Sequence, residues 1–336
     1  MDFKLTTDQV FSWSLQLSAQ HDFQALTHKL LEILNLLPGI DEAVAYEVYY
    51  HEKIRTGEAG SPQDQLISRF PIDFTKEANE KFHAVLADYI HAKDLTLSPI
   101  NSDNQYSWAI FSVSNGIGPD RAIVLEGKIQ QGCVELITNL RRLYNNLVFL
   151  HDTKERDVLT RLLNRQSLDT RLLQVCQHYR ANPVIDKMTD LSSWIAVMDI
   201  DFFKRINDSF GHLYGDEVLL IFSQIMSKNF RYNDFLFRFG GEEFVVILNL
   251  AAQELAEATF NRFRLAIANY DFPTVGKVTV SIGVTHVDST SIPSTLLDRA
   301  DKALYQAKNT GRNKVILYED MTDQSNPNAT SNIELF

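Results

Sequence analysis

Two acidic clusters carry residues able to do chemistry. The first is RFGGEEF, from Arg238 to Phe244, where two glycines and two glutamates interrupt a run that otherwise reads as a β-hairpin. Glycine weakens a strand interior and adjacent like charges repel, so their presence needs a reason. Gly-Gly suits the positive-φ positions of a two-residue turn, and a backbone without Cβ also lets a ligand approach closely. A carboxylate just after such a turn can hold a metal at that ligand. The second cluster is AVMDIDFFKRINDSFGHLYGDE, from Ala196 to Glu217, in which a strand ends in Asp199-Ile200-Asp201. Carboxylates at a strand end suit metal-dependent phosphoryl transfer. One of Asp199 and Asp201, not both, is expected to share a metal with Glu242. Lys204 and the free backbone N–H groups of the turn that follows are phosphate-holding parts. Hard oxygen ligands completed by phosphates favour Mg²⁺.

The elements that must position these groups follow from alternation and spacing. The expected order is a helix over Asp157–Tyr179, strand SWIAVMDI, helix His212–Asn229, strands FLFRFG and EFVVILN and helix Gln253–Ala268. Strand KVTVSIGV, helix Pro293–Lys308 and strand KVILYE complete it. Strands and helices mixed in this way predict one sheet covered by helices. After Asp320 the tail, residues 321–336, lacks pattern and is expected to be disordered. No secretory route is expected to use its Asn328-Ala329-Thr330 sequon.

The first half reads differently. Helices are expected over Thr7–Ala19 and Asp22–Leu37, with Asp22 as N-cap and Leu26, Leu30, Ile33 and Leu37 at helical spacing. A strand within PGIDEAVAYEVYY, a poorer one in LISRFPIDF, a helix over Lys76–Ala92 and a hairpin of YSWAIFSVS with RAIVLEGKI around NGIGPD complete an α+β domain, residues 1–132. Its element order is compatible with a GAF- or PAS-like sensory domain, by analogy alone. Residues 133–156 read as a linker helix in which Ile137, Leu140, Tyr144 and Leu147 fall at a/d spacing. That stripe either packs on its own domain or pairs with a second chain.

Composition sets bounds. The 336 residues suffice for two domains, and 45% hydrophobic with 22% charged residues is an ordinary globular balance. A net charge of −11 argues against nucleic acid or an anionic membrane as partner. Two cysteines, Cys133 and Cys176, exclude a disulfide framework. The N-terminus has no signal-peptide pattern and no apolar run is long enough for a membrane span, so the expected compartment is the cytoplasm.

DVLTRLLNR (Asp157–Arg165), DIDFFKRINDSFGHLYGDE, RFGGEEF, VTVSIGV and ADKALYQAKNTGRNKV, in that order, resemble the GGDEF domain of diguanylate cyclases over roughly residues 157–320. GGEEF is a common variant of the signature, and Arg161 stands where the opening motif often has Gly. The resemblance implies a mixed α/β domain with a mainly antiparallel central sheet, of the palm-like nucleotidyl-cyclase kind. It implies synthesis of cyclic di-GMP from two GTP by a homodimer, joined here through the N-terminal domain and linker helix. A site for Mg²⁺, or Mn²⁺ in its stead, is implied at Asp199, the Ile200 carbonyl and Glu242, with Glu242 and Glu243 as the catalytic acids. Gly240 and Gly241 then line the nucleotide. The backbone at Phe202 and Phe203, with Lys204, cradles phosphates, and Lys308 and Arg312 neutralise the triphosphate. Asn207 and Asp216 resemble the pair that reads guanine; a carboxylate accepts from guanine N1–H and N2–H₂, a donor pair that adenine lacks. RYND, Arg231 to Asp234, resembles the family's product-inhibition motif, with Arg262 as a secondary arginine. The alternative is a non-catalytic module that only binds cyclic di-GMP through Arg231 and Asp234; the intact Asp199, Lys204, Glu242, Glu243 and Lys308 argue against it.

Overall fold

The computed structural model describes residues 7–50, 65–70, 95–181, 191–231 and 234–323. The chain divides into two compact units, Met1–Lys154 and Glu155–Phe336. The helix expected over Lys76–Ala92 and the Asn328 sequon lie outside the described residues.

In the first unit, α1 (Thr7–Ser18) and α2 (Phe23–Asn35) precede β1 (Ile40–Tyr50), β2 (Gln65–Phe70), β3 (Thr96–Leu97), β4 (Gln105–Val113) and β5 (Asp120–Gln130), and α3 (Val134–Lys154) closes it. The strands form one antiparallel sheet in the order β2-β1-β5-β4-β3. Asp22 caps α2 as expected, its Oδ1 accepting from the Ala25 N–H at 2.8 Å. Alternate residues of the three long strands (Ala43 and Ala45, Ala109 and Phe111, Ile123 and Leu125) face Leu26, Leu30 and Ile33 of α2 in one core.

The stripe of α3 joins that core. Ile137, Leu140, Tyr144 and Val148 are buried there, and Leu147 packs against it. The a/d positions therefore face the core of the helix's own unit, α2 included, and are not free to form a seam with a second chain. A single 3–4 stripe reads the same whichever partner it has. Near the helix end the buried Asp152 takes a two-pronged pair from Arg121, at 2.7 and 2.8 Å, and a hydrogen bond from Asn115 Nδ2 at 2.6 Å.

The second unit contains β6 (Leu163–Asn164), α4 (Arg165–Ala181), β7 (Ser192–Ile200), α5 (Phe203–Phe210), α6 (His212–Asn229), β8 (Phe235–Gly240) and β9 (Glu243–Ala251). It ends with α7 (Gln253–Asn269), β10 (Val280–Val287), α8 (Pro293–Asn309), β11 (Val315–Leu317) and α9 (Tyr318–Asp323). The sheet order is β11-β10-β7-β9-β8-β6, with four antiparallel central strands and a parallel strand at each edge. Both faces are covered. Trp194, Ala196, Met198 and Ile200 of β7 enter the core with α6 and α7, while Ile195 and Val197 enter the core with α4 and α8. No helix among the described residues is long and apolar enough to cross a membrane.

Three local differences separate the structure from the sequence reading, two of them with a clear physical cause. The helix expected from Asp157 starts only at Arg165. Asp157 Oδ1 instead accepts from the N–H and Oγ1 of Thr160, both at 2.8 Å, and Arg161 turns left-handed at φ 62°. That φ is the one glycine adopts freely. The short helix α5 was not expected, because FKRINDSF is rich in residues that favour turns. The last strand stops at Leu317, and α9 extends three residues into the segment read as tail.

Candidate active site

The site forms where β7, the β8–β9 turn and the end of α8 meet. Asp199 and Glu243 are register partners across β7 and β9, and the Ile200 N–H donates to the Glu242 carbonyl at 3.3 Å. The glycine turn between β8 and β9 thereby brings Glu242 and Glu243 beside Asp199. From the last turn of α8, Lys308 Nζ lies 2.8 Å from Asp199 Oδ2.

Gly241 sits at φ 47°, as the tight turn demands, whereas the φ of Gly240 is not in the left-handed region. A Cβ on either would meet no protein atom within 4 Å. Protein packing therefore gives no reason for glycine at 240, and the open space beside the turn is room for a ligand.

Charge in the cluster is unbalanced. Burial raises the Asp199 carboxyl above its usual range, the Lys308 hydrogen bond opposes the rise, and the Asp201 charge adds to it. Burial and the Asp199 charge raise both Glu242 and Glu243, with Lys308 opposing; Glu243 adds to the rise at Glu242, and Asp301 adds to that at Glu243. Like charges this close disfavour joint ionisation and favour a cation among them. Among the described residues no three His, Cys, Asp or Glu side chains are gathered as a ready-made metal cage. Two carboxylates and a backbone carbonyl fall short of such a cage but fit Mg²⁺, which commonly takes one or two carboxylates and completes its shell with phosphate and water.

Strand alternation alone would give Asp199 and Asp201 the same face. The strand ends at Ile200, and Asp201 reaches across to β10 instead. Its Oδ1 accepts from Ser281 Oγ at 2.7 Å, and its Oδ2 from Thr279 Oγ1 at 2.7 Å and the Asn313 N–H at 3.1 Å. Asp199 is thus the carboxylate left facing the glutamates, and Asp201 fixes the loop after α8. That loop carries Arg312, whose Cζ lies 4.5 Å over the ring of Phe202. Lys204 is exposed on the first turn of α5. Asn207, on the same helix, packs its Oδ1 against Gly215 of α6, next to the exposed Asp216.

Two positioning residues escaped the sequence reading. Arg238 donates from Nη2 and Nε to the Gly241 carbonyl, at 2.9 and 3.2 Å, and from Nη1 to both oxygens of Asp157, at 3.1 and 3.3 Å. It ties the signature turn to the opening motif. Arg165 stacks over Phe239 at 4.4 Å and its charge opposes the rise at Glu243. Both signals were present as arginines inside the quoted motifs.

Arg231, Asp234 and Arg262 gather elsewhere, at the start of β8, roughly 17 Å of strand from the glycine turn at its end. Asp234 is buried, with Oδ2 accepting from the Arg231 N–H at 2.8 Å and Oδ1 from the Asn249 N–H at 3.0 Å. Burial pushes its carboxyl up to about 6 against those donors and the charges of Arg231 and Arg262. Arg262 Nη2 donates to the Asn229 carbonyl at 2.6 Å.

Residues 154–314 match the family model described as diguanylate cyclase, GGDEF domain. The match takes in most of the second unit, Glu155–Phe336. The chain is 42% identical over 173 residues to diguanylate cyclase DgcP of Pseudomonas aeruginosa, covering 49% of this chain and 25% of that protein. It is 37% identical over 193 residues to diguanylate cyclase A of Treponema denticola, covering 56% and 51%. A crystal structure of the coiled coil and GGDEF domain of DgcB from Caulobacter crescentus, in complex with c-di-GMP, aligns at 26% identity with a TM-score of 0.48, over 55% of this chain and 95% of that one. The chain spans a quarter to about half of the length of these curated relatives. The GGDEF-domain match begins at Lys154, the last residue of α3, so the sensory identity expected for the first unit has no counterpart in it.

Proposed function

We propose that this chain is a diguanylate cyclase that condenses two GTP into cyclic di-GMP and two pyrophosphates. The observation that carries the reading is the convergence of Asp199, Glu242 and Glu243 with Lys308 at one sheet end, inside a GGDEF domain. Asp199, the Ile200 carbonyl and Glu242 would hold Mg²⁺, with Mn²⁺ as a substitute; the ion supplies charge neutralisation on the transferring phosphate. Lys308, Arg312 and Lys204 neutralise the triphosphate, and the N–H groups at Phe202 and Phe203 cradle it. Asn207 and Asp216 hold the guanine edge.

In each condensation a 3′-oxygen forms a bond to the α-phosphorus of the other GTP. The bond from that phosphorus to the β,γ-pyrophosphate breaks, and the 3′-hydroxyl gives up its proton. The product has two identical linkages, so two GGDEF domains must face each other with antiparallel substrates. A homodimer supplies that proximity, and the first unit regulates the rate by setting its geometry. Product held at Arg231, Asp234 and Arg262 keeps the two active sites apart.

The test is incubation of the purified chain with GTP and Mg²⁺, with chromatography and mass spectrometry of the products. Cyclic di-GMP and pyrophosphate should accumulate, chelation by EDTA should stop them, and a folded Glu242→Ala protein should make none. Binding of cyclic di-GMP without any synthesis by the unaltered chain would favour the binding-module alternative.

A further inference from the structure

Phe202 carries a strain that its backbone role does not explain. It sits at φ 59°, ψ 26°, in the left-handed region, where a bulky L residue is an outlier and Gly or Asn sits easily. Its carbonyl accepts from the N–H groups of Arg205 and Ile206, at 2.9 and 3.4 Å, a task any residue performs. Burial does not offset the strain either, because the residue is 51% exposed. Strain of this kind persists where it serves a site.

The ring has a specific neighbour. Arg312 Cζ lies 4.5 Å from its centroid, and Arg205 Cζ lies 5.4 Å from it. Arg312 and Asn313 are themselves left-handed, at φ 60° and 47°, so their loop needs holding from outside. Two adjacent residues hold it at two adjacent points. Asp201 accepts the Asn313 N–H, and Phe202 lies under the Arg312 guanidinium. A planar guanidinium stacked on an aromatic face keeps its N–H donors free at the rim.

We propose that Phe202 is a positioning residue whose ring is the platform that aims Arg312 at the nucleotide triphosphate. This rests on the cyclase reading of the site. A smaller or aliphatic residue would leave the backbone cradle intact and release the guanidinium, so the loss should appear in substrate affinity.

The full chain and its Phe202→Tyr, Phe202→Leu and Phe202→Asn variants test this by kcat and KM for GTP, calorimetric Kd for GTP, and Tm. Phe202→Tyr should stay within about twofold of the parent. Phe202→Leu and Phe202→Asn should raise KM and Kd about three- to tenfold with kcat largely kept, the size expected of one cation–π contact. Phe202→Asn, relieved of strain, should melt no lower than the parent. In an Arg312→Ala background Phe202→Leu should add nothing. Unchanged KM in both ring-less variants, an equal loss in Phe202→Tyr, or a lowered Tm in Phe202→Asn would overturn the proposal. GTP binding without cyclic di-GMP would sink only the cyclase reading, since the order of Kd values still decides the role of Phe202. No GTP binding by the parent would overturn both.

Discussion

Gly215 offers a substitution in which stability and substrate recognition should move in opposite directions. It lies in the first turn of α6, where Ala is preferred over Gly by about 1 kcal/mol, so the helix itself has no use for it. A Cβ at this position would stand 2.0 Å from Asn207 Oδ1 and 3.3 Å from the tip of the Phe203 ring. Non-bonded atoms settle at about 3.5 Å, so the Asn207 amide must retreat by more than about 1 Å. A misplacement of about 1 Å in a recognition group can cost about 10²-fold. Gly215→Ala should therefore raise KM for GTP at least about tenfold and narrow the preference for GTP over ATP. Its Tm should stay level or rise by about 2–4 °C. Initial rates with each nucleotide, beside a thermal melt of the same preparation, decide it. A normal KM at raised Tm would mean that Asn207 does not read the base. A lowered Tm with kcat falling in step would mean that Gly215 serves helix packing against Phe203.

Asp201→Asn keeps the shape but loses acceptor capacity for Ser281, Thr279 and the Asn313 N–H; it should destabilise by about 1–3 kcal/mol in chemical denaturation and raise KM for GTP. Arg238→Ala frees the Gly241 carbonyl and Asp157, and should lower turnover about tenfold or more, as read from initial rates at saturating GTP. Glu242 has a carboxyl raised above its unfolded value, so its contribution to stability is present in acid and is lost as pH rises through the folded pKa. Glu242→Gln should therefore melt higher than the parent at pH 8 and level with it near pH 4, while making no product. Arg231→Ala should keep catalysis and lose inhibition by added cyclic di-GMP, measured as an initial-rate series; equal inhibition of both proteins would leave RYND as a turn before β8.

The sequence made the long strands of the second unit legible because both faces of the sheet are covered. Buried residues run unbroken from Ser193 to Ile200 in β7 and from Phe244 to Asn249 in β9, next to the acidic positions, so the run itself marks the strand and its end marks the site. It did not reveal how the turn residues are used. Asp199 and Asp201 are two apart in the same short motif, and only the path of the chain after Ile200 separates the cluster carboxylate from the one holding β10 and Asn313. DVLTRLLNR has helical spacing, yet Asp157 spends its carboxylate on Thr160 and Arg238, so the segment turns. In α3 the apolar stripe was legible and its partner was not, since spacing records that a face is covered and not by what.

What sets the active-site end of the sheet apart is how many local costs meet there. Phe202, Arg312, Asn313 and Gly241 are left-handed, and three neighbouring carboxylates are raised by burial and by the charge of nearby carboxylates. At the opposite end of β10 the charges are satisfied. His286 Nδ1 lies 2.9 Å from Glu319 Oε1, and that contact raises the imidazole and lowers the carboxyl. A domain selected for stability alone would treat both ends like the second. Strain and unbalanced negative charge are concentrated around one glycine turn, as the proposed function requires of a site that a polyanion and its cation would complete.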